Sequence, residues 1–270
     1  MKMNLSLTAL LLLAGATVAL TGCSSTPTPD GYGGPVATEP QTKDTSTLRV
    51  GVTPTFPPMV FKQGGELVGV EVDLARALGA KLGKKIAFVE VPWDNQLEAL
   101  NAGKTDIIMS SMSVTTARRF IVNFSQPYSL VGQMALVRRE DSQLYAFGFP
   151  MLPKGSIGVI KGTTGEFLAQ RVFPRSKRKT FSSGEEAARA LVKKQIDLFI
   201  SDSSLVWYLA GMHSTDGLAA VPNTLTEEQL AWAVRKTDDT LLASVNDFIT
   251  QSTKDGSLMK VFRRWTAVGN

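Results

Sequence analysis

The 270-residue sequence has one cysteine and one histidine. A lone cysteine, Cys23, excludes an internal disulfide framework and a cysteine-rich metal site. A lone histidine, His213, excludes a multi-histidine zinc site and argues against a Ser-His-Asp triad. Long apolar runs are scarce: beyond residues 5–20, no segment is long and apolar enough to span a bilayer. A strong charge of one sign is also lacking, because the formal net charge is only +5. The basic run Arg175-Ser-Lys-Arg-Lys179 has no interleaved aromatics, so it reads as a solvated loop rather than a nucleic-acid or membrane patch. His213 reads as a solvated residue at a helix end. No metal, cofactor or nucleic-acid partner is expected.

What is present at the N-terminus sets the compartment. Lys2 precedes an apolar run that ends in Leu20-Thr21-Gly22-Cys23. A short positive region, an apolar stretch below spanning length and small residues before a cut describe an export signal. Leu-Thr-Gly-Cys resembles the lipobox of bacterial lipoproteins. That resemblance implies a leader over residues 1–22 and an acylated Cys23 as the new N-terminus. It also implies an extracytoplasmic protein held at a membrane. The plainer alternative is an ordinary buried cysteine beside a cleaved signal. Residues 24–46 are rich in Ser, Thr, Pro, Gly and Asp, and such a stretch cannot bury enough surface to offset its ordering entropy. Residues 23–46 therefore read as a flexible tether. Losing Lys2 with the leader lowers the formal charge from +5 to +4.

The folded part starts near residue 47. A β-rich run at 48–52 is followed by a helix over 71–82, with Val72, Ala75, Leu78 and Leu82 at helical spacing and Gly83 closing it. Strands at 86–91 and 105–110 flank a short helix at 95–102. The second half repeats this grammar: strand 156–160, helix 164–172, helix 185–194, strand 196–201, helix 203–210. Strands alternating with helices predict an α/β architecture with largely parallel sheets. Leu100-Asn-Ala-Gly-Lys-Thr-Asp-Ile-Ile-Met-Ser and Leu191-Val-Lys-Lys-Gln-Ile-Asp-Leu-Phe-Ile-Ser match as helix, polar turn, Asp, strand, Ser. Two similar lobes follow, joined by extended segments at 133–139 and 228–235. The expected division is 47–138 and 228–270 for the first lobe, and 139–227 for the second.

Several motifs then identify a family resemblance. Leu67-Val-Gly-Val-Glu-Val-Asp-Leu-Ala75 resembles the signature of family 3 solute-binding proteins, the polar amino-acid binders of ABC importers. So do Ser110-Ser-Met-Ser-Val-Thr-Thr-Ala-Arg-Arg119 with Asn123-Phe-Ser-Gln-Pro-Tyr128, Gly162-Thr-Thr164, Asp255-Gly-Ser257 and Phe262-Arg-Arg-Trp265. The resemblance covers residues 47 to about 266. It implies the two-lobed type II periplasmic-binding-protein fold, each lobe a mixed β-sheet flanked by helices. It also implies a monomer that passes an amino acid to ABC permease transmembrane subunits.

A free amino acid demands a cation with directed donors for its carboxylate and an acceptor for its ammonium. Carried over from the family, these are Arg118 on the first lobe and Asp202 on the second. Arg119 beside it reads as a surface residue. Ser111 and Ser113 match positions that offer hydroxyl and backbone groups. Thr163 and Thr164 open a helix whose free N–H groups favour an anion. Phe56 and Trp93 match positions that sandwich the ligand side chain. Thr53 is expected at the ligand as well, at a position where basic amino-acid binders of the family carry an acidic residue, which argues against Lys or Arg as ligand. Asp94 and Glu71 are left as other sources of negative charge. Asp202 equally suits a helix N-cap, and the threonines suit ordinary capping.

The same fold supports cyclohexadienyl dehydratases, whose chemistry needs a protonated acid. Glu166 is the candidate for that role, and its plainer reading is a first-turn glutamate favoured by the helix dipole. A ligand-sensing surface lipoprotein is a third reading. The binder is the expectation adopted, without catalytic residues.

Overall fold

The computed structural model describes residues 45–145 and 155–266. The expected leader, the Cys23 lipidation site and nearly all of the tether lie outside them. The chain opens with β1 (Thr47–Val52), then β2 (Thr55–Phe56), β3 (Val60–Gln63) and β4 (Glu66–Val68). Next come α1 (Val70–Leu82), β5 (Lys85–Glu90), a 3-10 turn at Trp93–Asn95 and α2 (Gln96–Asn101). They are followed by β6 (Ile107–Ile108), α3 (Thr116–Ile121), β7 (Asn123–Phe124), β8 (Ser129–Val131) and β9 (Gln133–Arg138). The middle of the chain holds β10 (Ser156–Ile160), α4 (Thr164–Val172), β11 (Lys177–Phe181), α5 (Gly184–Val192) and β12 (Leu198–Asp202). The remainder is α6 (Ser203–Met212), β13 (Leu218–Ala220), β14 (Glu228–Leu230), β15 (Ala233–Val234), α7 (Asp239–Lys254) and α8 (Ser257–Thr266).

Two five-stranded mixed sheets organise these elements, in the orders β5-β1-β6-β15-β7 and β11-β10-β12-β9-β13. In each, four strands point the same way and one is antiparallel to its two neighbours: β15 between β6 and β7, and β9 between β12 and β13. The central strands of both sheets are buried on both faces, as helix-covered parallel strands require. Along β12 the period of two sends Leu198 and Ile200 to one core and Phe199 to the other. Along β6 and the next residue, Ile107 and Met109 face α1 and Trp232, while Ile108 packs with Leu100 on the opposite side. The helix start at Val70 and the left-handed Gly83 that ends it match the apolar spacing of α1.

The structure corrects the expected lobe boundary at 138. β9 lies inside the second sheet, hydrogen-bonded to β12 on one side and β13 on the other. Its residues Gln133–Val137 are buried, and this sheet supplies both their backbone partners and their apolar surroundings. The chain therefore passes between the sheets just before β9, beside the antiparallel β8–β14 ladder that carries the return path.

Two further readings change. The basic run is not a loop, because residues 177–179 belong to β11, an exposed edge strand, and lysines and arginines there blunt edge pairing. His213 does cap the C-terminus of α6, but its side chain is only 13% exposed and is not simply solvated. Its Nδ1 lies 2.7 Å from Asp216 and its Nε2 3.0 Å from Glu185. Burial opposes the imidazolium, the two carboxylates outweigh it, and the His213 pKa is raised. Among the described residues, no helix is long and apolar enough to cross a membrane.

Candidate functional site

The ends of the central strands of both sheets meet at one cavity. In the first lobe the chain leaves β6 through Ser110 and Ser111, then runs to α3. Ser111 has φ 54°, an uncommon left-handed conformation for serine. Its N–H donates to Glu71 Oε1 at 2.8 Å. Glu71 is fully buried and also accepts from the Tyr128 hydroxyl and from Trp232 Nε1. Burial raises its pKa, and these three donors offset only part of that rise. Glu71 therefore braces the loop from beneath and does not line the cavity, which removes it as a source of charge for the ligand.

Arg118 sits in the first turns of α3, where the Thr115 hydroxyl accepts its backbone N–H. Its side chain is buried, with Nη1 on the Ser113 carbonyl at 2.8 Å and the guanidinium 5.2 Å from the centre of the Trp93 ring. Nη2 reaches Gly162 O on the second lobe at 3.2 Å, and Trp93 Nε1 reaches the same oxygen at 3.1 Å. Burial lowers the Arg118 pKa, against the charges of Asp202 and Glu228. Gly162 has φ 74°, and a Cβ there would stand 2.8 Å from Asp94 Oδ1. The turn needs glycine, and a Cβ there would also displace the Asp94 carboxylate.

From the second lobe come the N-terminus of α4 and the end of β12. Thr163 caps α4: its hydroxyl donates to Ile160 O and accepts from Glu166 N. Glu166 Oε2 accepts from Gly162 N at 2.7 Å, which ties the residue before the cap to the start of the helix. Asp202 stands at the N-cap position of α6, yet its side chain makes no capping bond. It turns instead to Gln133 Nε2, 2.6 Å from Oδ1. Burial pushes the Asp202 carboxyl up to about 7; Gln133 donation and Arg118 pull it down, and the Glu228 charge pushes it up.

Phe56, Trp93, Ser111, Ser113, Arg118, Thr163, Thr164 and Asp202 line this cavity together with Ser110. Phe56 packs against the cores of both lobes. Thr53 is the exception. Its hydroxyl donates to Val91 O and accepts from Gln96 Nε2, and it lines an open groove at the rim with Trp93, Asp94 and Lys161. At that rim Asp94 pairs with Lys161 across the cleft at 2.8 Å. The space enclosed is about 10 Å³, room for roughly one water. The cleft is thus shut to anything larger than a water. Sequence reading missed Ser110, Gln133 and Glu228. Ser110 lies inside the Ser110–Arg119 motif, so a signal for it was present. Gln133 and Glu228 looked like connecting strand. Among the described residues, no group of three or more His, Cys, Asp or Glu side chains could hold a metal ion.

A model of bacterial extracellular solute-binding proteins, family 3, matches residues 48–268. The L-cystine-binding protein TcyJ of Escherichia coli (strain K12) is 29% identical over 225 residues, 83% of this chain and 84% of its own length. The crystal structure of an ancestral amino acid-binding protein, AncCDT-1, described as a precursor of cyclohexadienyl dehydratase, has TM-score 0.75 at 36% identity, covering 82% of this chain and 95% of that one. A putative ABC-transporter binding component from Wolinella succinogenes DSM 1740, complexed with lysine, has TM-score 0.76 at 30% identity, covering 83% and 97%.

Proposed function

The chain belongs to the bacterial extracellular solute-binding proteins, family 3, and on that premise we propose that it captures a free amino acid between two closing lobes and hands it to an ABC importer. In this reading it works outside the cytoplasm as a monomer, anchored through lipid on Cys23. One observation carries the ligand class: two buried groups of opposite charge, Arg118 from the first lobe and Asp202 from the second, line the same cavity. Arg118 takes the carboxylate through its planar fork, helped by the N-terminus of α4. Asp202 takes the ammonium. Trp93 and Phe56 flank the side chain, and the serine loop supplies further polar groups.

A polar or neutral side chain fits better than a basic one. Thr53 carries no charge, the Glu71 carboxylate is sealed beneath the loop by three donors, and Asp94 is engaged by Lys161. A cationic side chain would be desolvated with no free carboxylate to meet it. The cystine-binding relative fits this preference; the lysine-bound structure stands against it. The dehydratase reading is weaker because Glu166 spends its carboxylate on Gly162 N–H and does not line the cavity.

Calorimetry of the purified protein against the free L-amino acids, their N-acetyl forms and prephenate tests this reading. We expect binding of a polar or neutral amino acid, abolished by N-acetylation. Tightest binding of lysine or arginine would overturn the proposed preference, and phenylpyruvate formed from prephenate would overturn the binder. Cys23→Ala should move the protein out of the membrane fraction; unchanged fractionation would reject the anchor.

A further inference from the structure

Gln133 and Glu228 do not line the cavity, yet one hydrogen-bonded ring ties them to two residues that do. Gln133 is fully buried, and its Nε2 donates to Asp202 Oδ1 at 2.6 Å and to Thr164 Oγ1 at 3.0 Å. Thr164 Oγ1 donates to Glu228 Oε2 at 2.8 Å. Glu228 Oε1 accepts from Thr226 Oγ1 at 2.9 Å, and that hydroxyl accepts from the backbone N–H of Gln133, also at 2.9 Å. The ring therefore closes on Gln133. Each of its members sits at a strategic place: Gln133 opens β9 where the chain enters the second sheet, Glu228 opens β14 where it leaves, and Thr164 begins α4.

Local packing keeps the Gln133 amide in this pose. A Cβ on Gly165 would stand 2.7 Å from Gln133 Oε1 and 3.1 Å from Ile200 O, so the start of α4 leaves room for the amide only because it carries glycine. Gln133 Oε1 itself is buried and accepts no hydrogen bond. Burying an unsatisfied carbonyl oxygen costs on the order of 1–3 kcal/mol. An alkyl side chain of similar size would avoid that cost, so the Nε2 contacts to Asp202 and Thr164 are what the amide contributes.

We propose that Gln133 and Glu228 are positioning residues: Gln133 orients Asp202 and Thr164 for the two ends of an amino acid, and Glu228 fastens that pair to the strands where the chain changes lobes. The proposal rests on the amino-acid reading for its purpose, and its geometry stands without it. Glu228 also lines the outer groove between α3 and α4 with Thr164 and Phe167.

The two residues act on Asp202 with opposite sign. Gln133 donates to the carboxylate and favours its charged form, whereas the nearby Glu228 charge disfavours it. The folded-state pKa of about 7 lies above the ordinary aspartate value of about 3.9. The native protein therefore takes up a proton between those values, so this group adds stability as pH falls through that window and loses it again as pH rises towards about 7. Ammonium capture needs the charged form, and near neutral pH a small displacement of this titration changes how much of it is present.

The decisive experiment is a carboxyl carbon NMR titration of Asp202 in the full-length protein without added amino acid, with the resonance assigned by its absence in Asp202→Asn. Gln133→Leu should move the titration to higher pH, and Glu228→Gln should move it to lower pH while keeping an oxygen for Thr164. Opposite displacements support the proposal. No displacement, or the same direction in both, overturns it, because a role confined to packing acts only through shared burial. If Gln133→Leu does not fold, Gln133→Met replaces it as a donor-free side chain of similar length: an upward displacement supports the proposal, and an unmoved Asp202 rejects it. Neither result depends on which amino acid binds, so failure here is distinct from failure of the calorimetric test above.

Discussion

In the first lobe, Arg235 donates from Nη1 to the carbonyls of Leu100 and Thr105 at 3.3 and 2.6 Å, and from Nη2 to Asp106 at 3.1 Å. In the second, Arg138 donates from Nη1 to the carbonyls of Leu191 and Ile196 at 3.2 and 2.7 Å, and its Nη2 lies 3.5 Å from Asp197. Each aspartate also accepts a backbone N–H from the neighbouring parallel strand: Asp106 from Arg49, Asp197 from Ser156. The same brace thus locks helix end, strand start and the adjacent antiparallel strand in both lobes. The lobes diverge at the far end of the strand, where Ser111 in one corresponds to Asp202 in the other. Repetition builds the scaffold, and this tip position is one place where the two lobes part ways. The braces also differ in setting, because the Asp106 side chain is 6% exposed and that of Asp197 is 44% exposed.

The largest effect should come from breaking the buried brace. Asp106→Ala leaves Arg49 and Arg235 without their shared carboxylate, a loss of about 3 kcal/mol or more. Asp197→Ala removes a partly solvated partner and should cost about 1 kcal/mol or less. Urea unfolding of both variants measures the difference, and equal losses would mean the two braces are equivalent despite their burial.

Next in size is the tip. Asp202→Ser gives the second lobe the residue of the first, and should weaken amino-acid binding about thirtyfold or more, since losing one partner of a buried charge contact costs roughly 2–5 kcal/mol. Arg118→Ala should lose as much, and the exposed Arg119→Ala should lose almost nothing. Calorimetry with the amino acid that binds wild type tightest reads all three; full affinity in Asp202→Ser would end the assignment of the ammonium to the second lobe. The smallest effect belongs to the rim. Lys161→Ala breaks an exposed pair with Asp94, and such pairs contribute about 0.2–1 kcal/mol. Binding should weaken less than about fivefold and recover nothing on adding salt, whereas wild type should lose that small advantage in salt.

Much of this was legible in the chain itself. The matched segments 100–110 and 191–201 forecast the repeated lobe, because helix, turn and strand periods are local properties of successive side chains. The serine loop, Arg118, the Gly162-Thr-Thr164 turn and Asp202 were readable as motifs for a similar reason: each is a short run that ends or begins an element. The place of β9 was not legible. A run such as Gln133-Met-Ala-Leu-Val-Arg138 is extended in either lobe, and only pairing with β12 and β13 decided which sheet received it.

The sequence by itself determined the α/β alternation, the family and the residue types that an amino acid requires. Tertiary structure alone decided how those residues are used. Glu71 and Asp94 are carboxylates like Asp202, yet one is sealed under the serine loop, one is paired at the rim, and Asp202 alone of the three lines the cavity. Gln133 and Glu228, separated by most of the second lobe in sequence, meet through two threonine hydroxyls. Burial and hydrogen-bond partners are set by contacts between distant segments, and a one-dimensional pattern carries the residues but not the distances between them.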